Sequence, residues 1–286
     1  MSNTATALDQ AEEIHDVGER RTFWGDAWRI LRRRWLFWVS LTLIVTFVSM
    51  AVFPQLFTWF APGPGDPSGL FCNLSDARQP PSSEHWYGTD VQGCDYYTQV
   101  THGARVSLVV ALFATFITVF VGVSLGGLAG FYGGALDSVI SRLADGFFAL
   151  PYLVGAIVVL SALTTSEGRE IWHVAVAIGF LGWPAVVRLY RSTVLQVKGL
   201  EYVQAARALG ASDRRVLMRH ILPNAIAPTL VYSTISMGAV ISVEATLSFL
   251  GIGLPIDSIS WGIMINEAGT RIQQSPHLLL FPGGYL

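Results

Sequence analysis

The chain has 286 residues, 52% of them hydrophobic and 13% charged, with a mean hydropathy of +0.48. An ordinary soluble domain carries about 25% charged residues, so this balance excludes a free-standing soluble globule and points to lipid as the solvent. A net charge of −2 and a pI near 6.3 leave no electrostatic footprint for nucleic acid, which is excluded as a partner.

In chain order, residues 1–34 form a polar N-terminal segment, and the first 28 contain no apolar stretch of the kind a cleavable signal peptide needs. A first apolar run at 35–53 is long enough to cross roughly 30 Å of hydrocarbon. The region 54–105 that follows is rich in Pro, Gly, Asp and Ser. Residues 106–286 are expected to form the bundle core, with spans at 106–130, 146–163, 171–187 and 225–250. A sixth run opens at Leu278-Leu-Leu-Phe-Pro282 and meets Leu286 before it crosses; the expectation is either a naturally short chain or a lost end. Trp35, Trp38, Trp59, Trp172 and Trp183 fall near span ends, where amphipathic rings prefer the headgroup level. The fold class expected is an all-α polytopic transmembrane helix bundle with an external loop domain.

Lys and Arg divide 14 to 4 between alternate sides of these spans. The rich side holds Arg20 to Arg34, Arg142 and the loop 188–222, so the positive-inside rule places the N-terminus and that loop in the cytoplasm. The region 54–105 is then extracytoplasmic. Its cysteines, Cys72 and Cys94, are the two in the chain and suit a disulfide in an oxidising compartment. Unpaired thiols, or a metal held with His85 and His102, are the alternatives, although the spacing matches no usual zinc pattern and no metal site is assigned.

The cytoplasmic loop reads Glu201-Tyr-Val-Gln-Ala-Ala-Arg-Ala-Leu-Gly210, a short helix with a glycine stop, followed by a second helix that the Ser212 hydroxyl is expected to cap. Pro223 and Asn224 then turn the chain into the fifth span. Ala205, Ala206 and Leu209 give the first helix a small-residue face flanked by Arg207, which needs a partner or a membrane to cover it.

Chemistry by this chain is not expected. A P-loop ends in Lys-Ser or Lys-Thr, whereas Lys198, the single lysine, stands between Val197 and Gly199. His-Glu-x-x-His, Gly-x-Ser-x-Gly and paired-carboxylate clusters are likewise missing from the sequence.

Two acids within the apolar runs are candidates for a translocation pathway, because a charge at mid-bilayer costs about 2.5–3.5 kcal/mol unless it faces protein or water. Asp145 reads either as such a residue or as a helix-start acid paired with Arg142; Glu244 reads either as a cavity-lining group or as an interhelical hydrogen-bond partner. Gly122, Gly126, Gly130 and Gly134, broadened by Gly127 and Gly133, mark a surface for close helix packing or for a pore. Pro151 and Pro184 are possible kinks in the third and fourth spans.

The pattern Ala205-Ala206, Gly210 and Leu222-Pro223 resembles the EAA loop of bacterial ABC importer permeases. Tyr202 to Ser212 and His220-Ile-Leu-Pro-Asn224 resemble the C-type subunit of the dipeptide/oligopeptide/nickel branch. So do Gly88-Thr-Asp90, Gly93-Cys-Asp95, Gly103-Ala-Arg-Val-Ser-Leu108, Gly130-Phe-Tyr-Gly-Gly134 with Asp137, Ser248-Phe-Leu-Gly-Ile-Gly253 and Ser260-Trp-Gly262. Together these cover about residues 85–265. The resemblance implies a MetI-like type I importer permease that imports peptides into the cell across the bacterial inner membrane. It implies that Glu201, Gln204, Ala205, Ala206, Arg207, Leu209 and Gly210 couple to a separate ATPase through a coupling helix. It also implies a heterodimer with a paralogous permease, two ATPase subunits holding ATP and Mg, an extracytoplasmic peptide-binding protein, and surrounding membrane lipid, with no cofactor on this chain. Gln204 departs from the family's usual acidic residue, and the sixth span is incomplete. Nickel, glutathione and haem carriers share these motifs; a secondary transporter or a membrane scaffold or receptor is the rival reading.

Overall fold

A computed structural model describes residues 23–61, 72–164, 168–255 and 257–286. Among them no strand forms; two isolated bridges, Cys72 with Cys94 and Thr89 with Asp95, are the extended pairings recorded. Contacts divide the chain into two units, Met1–Val48 and Ser49–Leu286. The first contains α1 (Phe23–Arg32) and most of α2 (Trp35–Val52), an apolar helix whose Leu43, Ile44 and Val45 are exposed.

In the second unit, α3 (Pro54–Thr58) is a short helix, and α4 (Tyr96–Tyr132) is a single helix of 37 residues. The span expected at 106–130 therefore starts ten residues earlier, inside what reads as the 54–105 loop. Asp95 starts it by accepting a hydrogen bond from the Thr98 amide at 2.8 Å. Gln99, His102 and Arg105 break the apolar run without breaking the helix, which is why hydropathy places the boundary late.

Gly134–Phe148 (α5) and Tyr152–Leu163 (α6) meet at a 97° bend. The expected span at 146–163 is thus a shorter helix preceded by a separate one. Pro151 sits at the break, where a residue without an amide cannot continue the ladder of α5. Pro184, by contrast, lies inside α7 (Ile171–Lys198), which runs unbroken past the expected limit at 187. It is followed by α8 (Glu201–Ala208), an irregular helical stretch over 213–225, α9 (Ala227–Phe249), α10 (Trp261–Gly269) and α11 (His277–Tyr285). Among the described residues four helices are long and apolar enough to cross a membrane, or five if the bent pair counts as one span.

Helix α7 is the centre of this unit. In its apolar window 61% of residues are buried, against 33% for α4 and 22% for α9. Part of the glycine stripe explains how α4 approaches it. A Cβ at Gly122 would lie 2.4 Å from Val186 Cβ, one at Gly126 2.8 Å from the Val187 carbonyl oxygen, and one at Gly130 2.9 Å from Val194 Cγ1. Gly133 and Gly134 do not extend that surface; they form the turn into α5, with nothing near their Cβ positions. Trp183 also departs from expectation. It is 5% exposed and packs with Ala129, Ile140, Ala144 and Val187, because the helix continues well beyond the end that hydropathy assigns.

Candidate coupling and translocation site

The end of the bundle at α8 is built from a cluster of buried apolar side chains: Phe131, Tyr190, Val194, Val203, Val216 and Ile221. Val203 is the one residue α8 buries there. Lys198 donates to the Phe131 carbonyl at 2.6 Å, and the Arg207 guanidinium lies 5.0 Å from the Phe131 ring centroid, so two cations brace one aromatic residue. Tyr202 donates to the His220 carbonyl, and the Gln204 amide donates to the Gly199 carbonyl at 3.0 Å. The neutral side chain at 204 is thus turned back onto its own chain.

Gly210 ends α8 in a Schellman motif. Its φ is +83°, the Ala211 amide donates to the Ala206 carbonyl at 3.1 Å, and the Gly210 amide donates to the Arg207 carbonyl at 2.9 Å. Past it the expected cap fails: Ser212 occupies the N-cap position without a side-chain hydrogen bond. The second helix is irregular as well. It passes through a π-helical turn at Val216–Ile221 and stays helical through Pro223, with the Asn224 amide donating to the His220 carbonyl at 2.7 Å. π-turns of this kind recur at functional sites.

What remains of α8 faces outward. Glu201, Gln204, Ala205, Arg207 and Gly210 are exposed, Ala206 is half-buried, and Leu209 is 88% exposed. Leu209 is thus an apolar side chain at a helix end, between two arginine-bearing segments, that this chain leaves bare.

The two acidic candidates occupy different settings. Asp145 does not begin a helix or pair with Arg142. It lies near the end of α5 and accepts from Arg188 of α7, whose guanidinium is also 4.1 Å over the Phe148 ring. Glu244 has no exposed surface; its carboxylate oxygens accept from Ser107 at 3.0 Å and Ser248 at 2.9 Å, tying α4 to α9. Ser248 in turn accepts from the Leu254 amide at 3.2 Å. A cavity of about 500 Å³ lies between α4, the α5–α6 bend, α7 and α9, lined by Thr115, Phe147, Tyr152, Pro184, Tyr232 and Ser236 among others. Val243 reaches this cavity and Glu244 does not.

One pair escaped sequence reasoning. Arg191 of α7 grips both carboxylate oxygens of Asp137 on α5 through Nε and Nη2. The signal was available: Asp137 and Asp145 are eight residues apart, near one face of a helix, and Arg188 and Arg191 are three apart on another.

Comparison with known proteins gives the class. The model described as "binding-protein-dependent transport system inner membrane component" matches residues 122–281, more than half of the chain. The chain therefore belongs to that family, and it is a transmembrane permease subunit with the MetI-like fold. A second model, the N-terminal TM domain of oligopeptide transport permease C, matches residues 22–81 and places the chain with the C-type permeases. Among its relatives, the dipeptide transport system permease protein DppC of Alkalihalophilus pseudofirmus is 36% identical over 260 residues, 91% of this chain and 82% of that protein. The oligopeptide transport system permease protein OppC of Bacillus subtilis is 35% identical, covering 93% and 83%. The glutathione transport system permease protein GsiD of Escherichia coli is 36% identical, covering 92% and 83%.

Cys72 and Cys94 are joined by a disulfide, so neither thiolate is available to a metal, and His85 bonds instead to Asp95 at 2.9 Å.

Proposed function

We propose that the chain is the C-type half of the translocation pathway in an ATP-driven importer of short peptides. Two relatives named for dipeptides and oligopeptides and the match to the oligopeptide permease C model support the substrate class. The partners are a paralogous permease, two ATPase subunits that bind ATP and Mg, and an extracytoplasmic peptide-binding protein. The chain itself holds no cofactor. The distribution of arginines supports a cytoplasmic N-terminus and a cytoplasmic 188–222 loop in the bacterial inner membrane, with the 54–105 region outside.

ATP binding closes the ATPases, α8 carries that displacement into α7, and the bundle switches between inward-facing and outward-facing states. Peptide delivered by the binding protein enters the cavity among α4, α6, α7 and α9. Asp145 lies near the end of α5, two residues before the cavity-lining Phe147, with its carboxylate held by Arg188. Of the two roles open at Glu244, its full burial and its two serine donors favour the structural one.

The observation that carries this reading is the bare surface of α8 around Leu209 and Gly210. A Cβ at Gly210 would meet nothing within 4 Å in this chain. A bulky residue there costs roughly 1–2 kcal/mol of left-handed backbone strain and collides only with a docked partner. In the complete complex, Gly210→Val and Ala206→Trp should abolish peptide-dependent ATP turnover while the isolated ATPase stays active. Unchanged coupling in both variants defeats the assignment. Uptake measured across dipeptides, longer oligopeptides, glutathione, haem and Ni²⁺ tests the substrate class separately.

A further inference from the structure

Helices α7 and α8 are separated by two residues, Gly199 and Leu200, so a displacement of α8 enters the end of α7 directly. The α5–α6 bend borders the cavity, which Leu181 and Pro184 of α7 also line, and α5 packs on α7 through a small set of apolar side chains, among them Phe147, edge-on to Trp183 at 5.2 Å and to Phe180 at 5.5 Å. Ile140 and Ala144 are its two buried residues, whereas Leu136, Val139 and Leu143 are exposed.

The polar contacts are better suited to fixing its position. The Asp137–Arg191 pair is bidentate, with the two side chains 20% and 33% exposed, and Ser141 donates to the same carboxylate at 3.3 Å. Two parallel charge-assisted bonds define distance and orientation together, which a single contact or an apolar patch does not. The Asp145–Arg188 pair is more than half exposed on both sides, and ion pairs in that setting add little on their own. About 12 Å of helix separates the two aspartates, at 1.5 Å per residue, so the pairs hold α5 at two points. Beyond them the chain bends by 97°, and Tyr152 of α6 donates to the Ile178 carbonyl of α7 at 2.9 Å.

Resting on the coupling reading above, we propose that Asp137 and Arg191, supported by Asp145 and Arg188, are positioning residues that make α5 move as one body with α7, so that displacement of α8 reaches the α5–α6 bend beside the cavity. The role is mechanical. Neither Asp137 nor Arg191 lines the cavity.

The test uses the complete complex in proteoliposomes and reads peptide uptake per ATP hydrolysed. Asp137→Asn and Arg191→Gln should each lower that ratio on the order of tenfold, within the 5–150-fold range typical of coupling between sites. The charge exchange, Asp137→Arg with Arg191→Asp, should restore most of it. A pair that only staples the fold would lower complex yield and leave the ratio unchanged, and an unchanged ratio overturns the inference. Should these variants assemble poorly, Asp137→Cys with Arg191→Cys provides a second test. Coupling should be low in the unbridged protein and return when a short bis-maleimide joins α5 to α7; no recovery on bridging also overturns it. Gly210→Val separates the two levels. If it leaves the ratio unchanged, the coupling reading itself fails, whereas uncoupling by Gly210→Val with normal coupling in Asp137→Asn defeats this inference alone.

Discussion

The end of the bundle that carries the disulfide and the end that carries α8 solve opposite problems. At the first, polar groups are buried and answered within the chain. The Asp90 carboxylate accepts from the Gln92 and Cys94 amides at 2.8 Å and from Gln99 at 2.6 Å. Tyr96 donates to the Leu278 carbonyl at 2.6 Å, Trp261 donates to the Val100 carbonyl at 2.9 Å, and Tyr87 stacks on Phe281 with centroids 3.8 Å apart. At the second, Leu209 and Met218 are exposed, and one short helix buries one residue. The difference separates an end whose polar groups this chain answers itself from one whose apolar side chains it leaves bare: substitutions at the first end should damage this chain and, on the proposed coupling role, those at the second should damage an assembly.

The largest effect is expected at Glu244, because its loss strands buried hydroxyls on Ser107 and Ser248. Glu244→Leu removes the acceptor of both Ser107 and Ser248, at about 2 kcal/mol for each buried donor left unpaired, or roughly 4 kcal/mol together. Glu244→Gln keeps an acceptor oxygen and the side-chain shape, so thermal stability of the purified complex should fall far less and uptake should survive. Lost uptake in a stable Gln variant would return Glu244 to the pathway and break the comparison.

A smaller and more local loss is expected from removing the disulfide. Cys72 and Cys94 are 22 residues apart, and closing a loop of that length constrains the unfolded ensemble by about 3 kcal/mol. The paired variant Cys72→Ser with Cys94→Ser should raise amide exchange and protease sensitivity across 72–95 while exchange in α7 stays unchanged. Equal loosening of both would show that the 72–95 segment and the bundle unfold as one unit.

Sequence reveals the features of this molecule that are local. The α8 helix and its Gly210 stop depend on a few adjacent residues, and the bare Ala205–Leu209 face follows from the same short pattern, although the Ser212 cap expected on the same grounds is absent. The Gly122, Gly126 and Gly130 stripe is legible because its period matches the helix. What escapes depends on which helix lies alongside. Arg142 is the nearest cation to Asp145 in sequence, yet α7 presents Arg188 from another part of the chain. The bend before α6 falls at Pro151, which the sequence marks as a possible kink; what the hydropathy profile hides is that the residues before it form a separate helix rather than the start of the same span. Trp183 looks interfacial only if α7 stops at 187, and the eleven further residues are too polar to register as span although they remain helical. At Glu244 the sequence leaves two roles open because its answering serines come from α4 and from its own next turn.

The smallest effect on the chain should come from the residue with the greatest consequence for the assembly. Leu209 is 88% exposed, so truncating it removes almost no contact within this protein. Surface substitutions of this kind stay within about 0.5 kcal/mol of the parent stability, and alanine is a better helix former than leucine at the end of α8. Thermal melting of the permease should therefore be unchanged by Leu209→Ala. Docked against an ATPase, the same side chain would be an apolar anchor at the centre of a small contact, where truncation costs more than about 1 kcal/mol. Binding of the ATPase subunits to the variant permease should weaken about tenfold or more, as read by titration in detergent or nanodiscs. Equal loss of permease stability and ATPase affinity would mean that Leu209 is held by its own chain, and the contrast between the two ends would disappear.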